Sequence, residues 1–223
     1  HAPRNLGLEP MFAERQDAVA HAEEYLDAYF FRNVPPGLKT ADAETKRRYV
    51  VELTKKIPEV AQATAKAGTW VIPTLTVYKG IGAQVKDLAA LLQRPEVKYV
   101  PSTISAEWQP ARNTYTQRFG KDAVERFELQ YGLLEKLVKG FRDAGVRMLA
   151  GTDTPVPCVV PGASLHDELK DLVAAGLTPY EAIRTATVNA AEFLNTLKES
   201  GTVEAGKRAD LILIEGDPLK DVA

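Results

Sequence analysis

The chain has 223 residues, 45% of them hydrophobic and 26% charged, an ordinary globular composition that argues against disorder over most of its length. Lys and Arg number 28 against 30 Asp and Glu, for a net charge of −2, which leaves no electrostatic footprint for nucleic acid or an anionic membrane. No apolar run approaches the ~20 residues of a membrane span, and a single cysteine, Cys158, excludes an intrachain disulfide framework and a cysteine-rich metal site.

The first long helical signal covers residues 42–67, where Ala43, Lys46, Tyr49, Val50, Leu53, Ile57 and Val60 recur at helical spacing. Pro58 is expected to kink or break it, because proline lacks the amide hydrogen and crowds the preceding turn. Gly68 then acts as a stop. Residues 69–78 are β-branched and aromatic and read as a strand, with regular pairing ending at Pro73. Residues 83–93 read as helix. Residues 94–110, with Pro95, Pro101 and Pro110, read as an irregular excursion of the kind that can form a lid.

Residues 122–144 are helical, with Val124, Phe127, Tyr131, Leu134, Leu137, Val138 and Phe141 on one side and Gly145 beyond the end. A short strand at 146–150 runs into Gly151-Thr152-Asp153-Thr154, and a proline-rich loop follows over 155–162. Ser164 is expected to cap the next helix, which stops at Gly176. Thr178, Pro179 and Glu181 form a capping-box signature for another. Residues 209–214 read as a last strand. Helices alternating with single short strands indicate βα units around a parallel sheet. The segment after a boundary near 195–200 has a strand but no following helix and reads as a separate small β element.

Three positions invite a chemical reading. Asp153 follows a short apolar strand, where α/β folds place their active sites, although a turn aspartate has the same local look. The histidines number three: His1, His21 and His166. By local pattern His21 lies on a helix surface, His166 in the first turn of a helix, and His1 at a terminus. Glu23-Glu24 has the form of a carboxylate pair, a pattern that more commonly marks a solvated helix face. There is no phosphate-binding glycine loop, no Gly-x-Ser-x-Gly and no His-Glu-x-x-His.

A longer ordered series narrows this. Leu149-Ala150-Gly151-Thr152-Asp153-Thr154 is followed by Pro161-Gly162-Ala163-Ser164-Leu165-His166-Asp167-Glu168-Leu169. Then come Ala175-Gly176-Leu177-Thr178-Pro179-Tyr180-Glu181-Ala182-Ile183, Ala186-Thr187-Val188-Asn189-Ala190-Ala191 and Gly201-Thr202-Val203-Glu204-Ala205-Gly206-Lys207-Arg208-Ala209-Asp210-Leu211-Ile212-Leu213. In this order and spacing the series resembles the C-terminal part of the amidohydrolase superfamily, most of all the imidazolonepropionase-like and Xaa-Pro dipeptidase (prolidase)-like metal-dependent hydrolases. Upstream, His1 in His1-Ala2-Pro3-Arg4 is similar to the family's histidine after the fifth barrel strand. His21 in Ala20-His21-Ala22-Glu23-Glu24 is similar to the one after the sixth, which implies a very short strand before it in place of a helix.

The resemblance implies an α/β fold: the C-terminal half of a (β/α)8 TIM-type barrel, strands five or six to eight. Residues 1–196 would be the partial barrel and 197–223 terminal strands of a small β-sandwich. It implies hydrolysis of an amide or related bond, with one or two divalent metal ions such as zinc held by His1, His21 and Asp153. Asp153 would be the general acid and base, and His166 and Tyr78 would touch substrate or support the site. A dipeptide or N-acyl amino acid is the expected substrate, with a deaminase or lactonase as the alternative. The family's His-x-His pair after the first strand and its lysine after the fourth have no counterpart among these residues. The isolated chain is therefore expected to be inactive, or to be a non-catalytic half-barrel that self-associates or pairs with a missing N-terminal half.

Overall fold

The computed structural model describes residues 7–222. A short helix, α1 (Glu9–Ala13), leads into β1 (Ala18–Ala20) and a single π-helical turn, Leu26–Phe30. The expected helix over 42–67 forms as two: α2 (Ala43–Thr54) and α3 (Ile57–Ala67). Asp42 caps α2, its carboxylate accepting from the Thr45 amide at 2.7 Å. Pro58 sits in the first turn of α3, where its missing N–H has no partner to lose. Gly68 ends α3 at φ 73°, a left-handed position that glycine takes without a Cβ clash.

β2 (Trp70–Ile72) pairs parallel with β1, in the register Ala18 to Trp70, Val19 to Val71 and Ala20 to Ile72. On its other side Val71 bridges in parallel to Met148. There the Val71 amide donates to the Arg147 carbonyl at 3.0 Å and the Leu149 amide to the Val71 carbonyl at 2.9 Å. The sheet is thus parallel with β2 in the middle, as the βα pattern predicts.

The strand reading of 69–78 fails beyond Ile72. Pro73 has no amide hydrogen for the ladder, Thr74 turns left-handed at φ 51°, and α4 (Leu75–Leu92) begins at once. Leu75 and Val77 are buried as helical residues. Tertiary packing overrides their strand propensity. The expected helix over 83–93 is the second half of α4, past a break at Asp87.

The irregular excursion expected over 94–110 runs on to 123 in the structure, with 3₁₀ turns at Pro95–Tyr99, Ala106–Trp108 and Lys121–Ala123 and two short helices, α5 (Ser102–Ser105) and α6 (Thr114–Arg118). It is anchored at both ends. The Asn113 side-chain amide donates to Gln84 of α4 at 2.7 Å, and both side chains are buried. The Arg94 guanidinium donates to Asp167 at 2.6 Å.

α7 (Val124–Asp143) supplies the core, with Leu133, Leu134, Leu137, Val138 and Phe141 fully buried. Phe141 meets Tyr25 edge-on with ring centroids 4.9 Å apart. α8 (Ala163–Ala174) starts from Gly162, not Ser164: the serine is buried inside the first turn, and no side chain caps that helix. α9 (Pro179–Ala186) forms with its capping box in place, and α10 (Val188–Phe193) follows. The strand expected at 209–214 does not form. A strand exists only through a ladder, and none of this segment's backbone groups joins one among the described residues. Leu211, Ile212, Leu213 and Ile214 are exposed.

Close approach of α3 and α7 depends on Gly140. A Cβ there would lie 2.2 Å from Cγ2 of Ile57. Gly140→Ala would gain about 1 kcal/mol of helix propensity at an open site. Overpacking a tight contact costs about 1–3 kcal/mol, so the net effect here is a loss. The variant should show a lower urea midpoint with an unchanged slope; a raised midpoint would contradict the contact.

Candidate active site

Because the three paired segments are parallel, their C-terminal ends lie on one edge of the sheet, the edge where such folds gather functional groups. His21 is the residue after β1, and its amide extends the ladder by donating to the Ile72 carbonyl at 2.8 Å. Ala22 continues it to the Pro73 carbonyl at 3.0 Å. Thr74 follows β2 by two residues, and Asp153 follows the Met148 bridge by five. The very short strand implied before His21 is therefore present, and the helix-surface reading of this histidine is not.

All three side chains leave a left-handed backbone: φ is 73° at His21, 51° at Thr74 and 51° at Asp153. Such positions cost a non-glycine residue about 1–3 kcal/mol each, and the β-branched Thr74 is the least suited to it. The strain turns each chain sharply off its strand end. Gly151 permits the third turn, since a Cβ there would lie 2.4 Å from Cγ2 of Ile72.

The imidazole of His21 is buried, with Nδ1 2.9 Å from the Thr74 hydroxyl oxygen. That hydroxyl has one hydrogen, and its oxygen also lies 2.8 Å from the Pro73 carbonyl oxygen, which only accepts. Both contacts are hydrogen bonds only if the hydroxyl donates to the carbonyl and the ring Nδ1–H donates to the hydroxyl. The other ring nitrogen is Nε2. It lies 3.9 Å from Oδ1 of Asp153, a side chain 46% exposed. A neutral imidazole nitrogen and a carboxylate oxygen suit zinc or a similar ion, and two bonds of about 2.0–2.2 Å each can span their separation. The donor set is consistent with a divalent cation but does not complete its shell: among the described residues no group of three His, Cys, Asp or Glu side chains converges.

His1, expected as a further ligand, lies outside the described residues. His166 is exposed in the first turn of α8 and touches neither His21 nor Asp153. Tyr78 belongs to the first turn of α4. It packs edge-on against Phe127 at 5.9 Å and donates its hydroxyl to Gln130. Burial, and then the charge of Glu23, push its phenol well above the usual range. Glu24 is buried, so Glu23-Glu24 is not a solvated face.

Sequence reasoning missed three participants. Thr74 gave no signal beyond following a proline. Tyr115, on α6, has its phenol raised by burial and then by the charges of Asp153 and Glu23, so the excursion reaches the field of the site. Glu168, within the motif that drew attention to His166, is fully buried on α8. Its Oε2 accepts from the Thr76 amide at 2.8 Å, and its Oε1 has no hydrogen-bond partner. Burial pushes this carboxyl up to about 8, opposed by the amides of Thr76, Leu75 and Thr74 and reinforced by Asp171.

This edge defines a parallel α/β protein with a histidine and an aspartate at the strand ends on either side of the central β2. The sequence profile of the amidohydrolase family matches residues 38–223, and the chain belongs to that family. It is 32% identical over 90 residues to an N-substituted formamide deformylase of Arthrobacter pascens, covering 37% of this chain and 17% of that protein. It is 38% identical over 74 residues to an imidazolonepropionase of Geobacillus sp. (strain WCH70), covering 33% of this chain and 17% of that one. Its fold is similar to the crystal structure of a Xaa-Pro dipeptidase with bound methionine in the active site, with a TM-score of 0.54 and 18% identity, over 96% of this chain and 38% of the other. The chain thus spans less than half the length of each of these proteins.

The Glu168 carboxyl fixes a pH dependence. Its value in the fold, about 8, is above its ordinary 4.5. Between those values the folded state holds a proton that the unfolded state has released, so stability is lost as pH rises from about 4.5 to about 8. Urea unfolding should show that decline, and Glu168→Gln should flatten it across that window. An equal slope in the variant would mean that the carboxyl ionises normally.

Proposed function

We propose that the chain is the C-terminal half of a (β/α)8 barrel of a metal-dependent hydrolase that cleaves an amide or peptide bond. Residues 1–196 would form the partial barrel, strands five or six to eight, and 197–223 strands of a small β-sandwich. The observation that carries this reading is the His21 imidazole within 3.9 Å of the Asp153 carboxylate on the C-terminal edge of a parallel sheet. Family membership and relatives that include a deformylase support it.

His21 would hold the ion through Nε2, Asp153 through a carboxylate oxygen, and His1 through a second imidazole. When bound, a divalent ion such as zinc lowers the pKa of water and polarises the scissile carbonyl. Asp153 accepts the proton of the attacking water on its carboxylate and returns it to the leaving nitrogen. Its exposure leaves the approach open to a small substrate such as a dipeptide or N-acyl amino acid. His166, exposed in the first turn of α8, would orient such a molecule, while Tyr78 would serve packing. A half-barrel leaves strand edges unpaired. The exposed Leu211–Ile214 side chains fit a sheet completed by the missing half or by a second copy.

The test is an assay with zinc or manganese, in the polypeptide that carries the complete barrel, against Xaa-Pro dipeptides and N-acyl amino acids. Asp153→Asn should lower kcat by about 10²–10⁴, the usual worth of a positioned acid–base group, with an unchanged circular dichroism spectrum. Wild-type turnover in that variant would remove Asp153 from the chemistry.

A further inference from the structure

We propose that Glu168 is a positioning residue for His21, acting through Thr74: it caps α4 so that the Thr74 hydroxyl is free to hold the imidazole. Thr74 occupies the N-cap position of α4, where a threonine ordinarily turns its hydroxyl onto the amides of the first turn. Here it does not. Its backbone is left-handed, its side chain makes no cap hydrogen bond, and its hydroxyl is spent on the Pro73 carbonyl and the His21 ring. The exposed amides of a helix start need another acceptor. Glu168 supplies it from 92 residues away, with Oε2 at 2.8 Å from the Thr76 amide.

The alternatives are mutually exclusive. Without an acceptor from α8, the side chain at the N-cap position of α4 is the Thr74 hydroxyl itself. Turning it toward the helix takes it from Nδ1 of His21, and with it the restraint that keeps the proton on that nitrogen. Full burial of Glu168 shows that the replacement is built into the core and is not a surface accident. A carboxyl on a buried helix face, with one oxygen unpartnered, would otherwise be a poor choice beside an apolar residue of the same size. The consequence for metal binding rests on reading Nε2 as the donor, whereas the effect on the ring itself does not.

The chain has only three histidines, so imidazole nitrogen NMR resolves His21 once His1 and His166 have been assigned by substitution. In the wild-type protein, without metal, the His21 proton should reside on Nδ1. Glu168→Leu fills the same space without an acceptor and should lower the ratio of Nδ1–H to Nε2–H by roughly 5-fold, the net worth of one neutral hydrogen bond. Glu168→Gln keeps an oxygen for the Thr76 amide and should restore the wild-type ratio. A merely structural role would leave the ratio untouched in every folded variant. Should the leucine variant not fold, Glu168→Asp, one methylene too short to reach Thr76, is read in its place. A wild-type ratio in the folded leucine or aspartate variant overturns the proposal. Zinc titration of the same proteins separates the two readings. If the ratio shifts but zinc binds none of them, the positioning holds and the metal assignment fails.

Discussion

The hydrogen bond between the His21 ring and the Thr74 hydroxyl ties together the ends of two adjacent strands and decides which imidazole nitrogen donates to it. Everything that gives the site chemical character depends on it. The backbone ladder brings His21 beside Ile72 and Pro73, but a ladder alone sets no tautomer. The hydroxyl does, because it has one hydrogen and two neighbours, one of which can only accept. Nε2 is the ring atom that lies 3.9 Å from the Asp153 carboxylate.

That arrangement is held against strain. Three left-handed residues at about 1–3 kcal/mol each represent a large fraction of the ~5–15 kcal/mol by which domains are stable. The surrounding packing must supply what the local backbone does not. α7 does so with a row of fully buried leucines and Phe141, and α3 closes onto it through Gly140. The elements that begin at the site are cross-braced as well. α4 is tied to the excursion by Gln84 and Asn113, and α8 is tied to it by Asp167 and Arg94. The Lys79 ammonium of α4 donates to the buried Asp171 of α8 at 2.5 Å. The excursion is thus a packed wall beside the edge that carries Asp153, and Tyr115 lies within reach of that carboxylate's field.

Much of this was legible in residue order. Short strands alternating with helices gave the parallel sheet, and Asp153 at the end of an apolar run gave the position of the edge. The upstream resemblance at Ala20-His21-Ala22-Glu23-Glu24 placed His21 on a strand end against its own helical-looking flanks. Other features were misread because local chemistry competes with packing. Residues 75–78 have strand composition but lie in α4, and Ser164 has capping chemistry but lies inside α8. The 209–214 segment has strand propensity but no ladder to join. Glu24, in a charged doublet, is buried.

The sequence by itself determined what depends on neighbours along the chain. Pro58 opening α3, Gly68 closing it, Pro73 ending β2 and the Thr178 and Glu181 capping box each act within a turn, and each appears where the residues dictate. Tertiary structure alone decided what spans distance. Glu168 meets Thr76 across 92 positions, and His21 meets Thr74 across 53. No local signal marks a residue whose partner is that remote, since the bond exists only after parallel strands and packed helices have brought the two ends together.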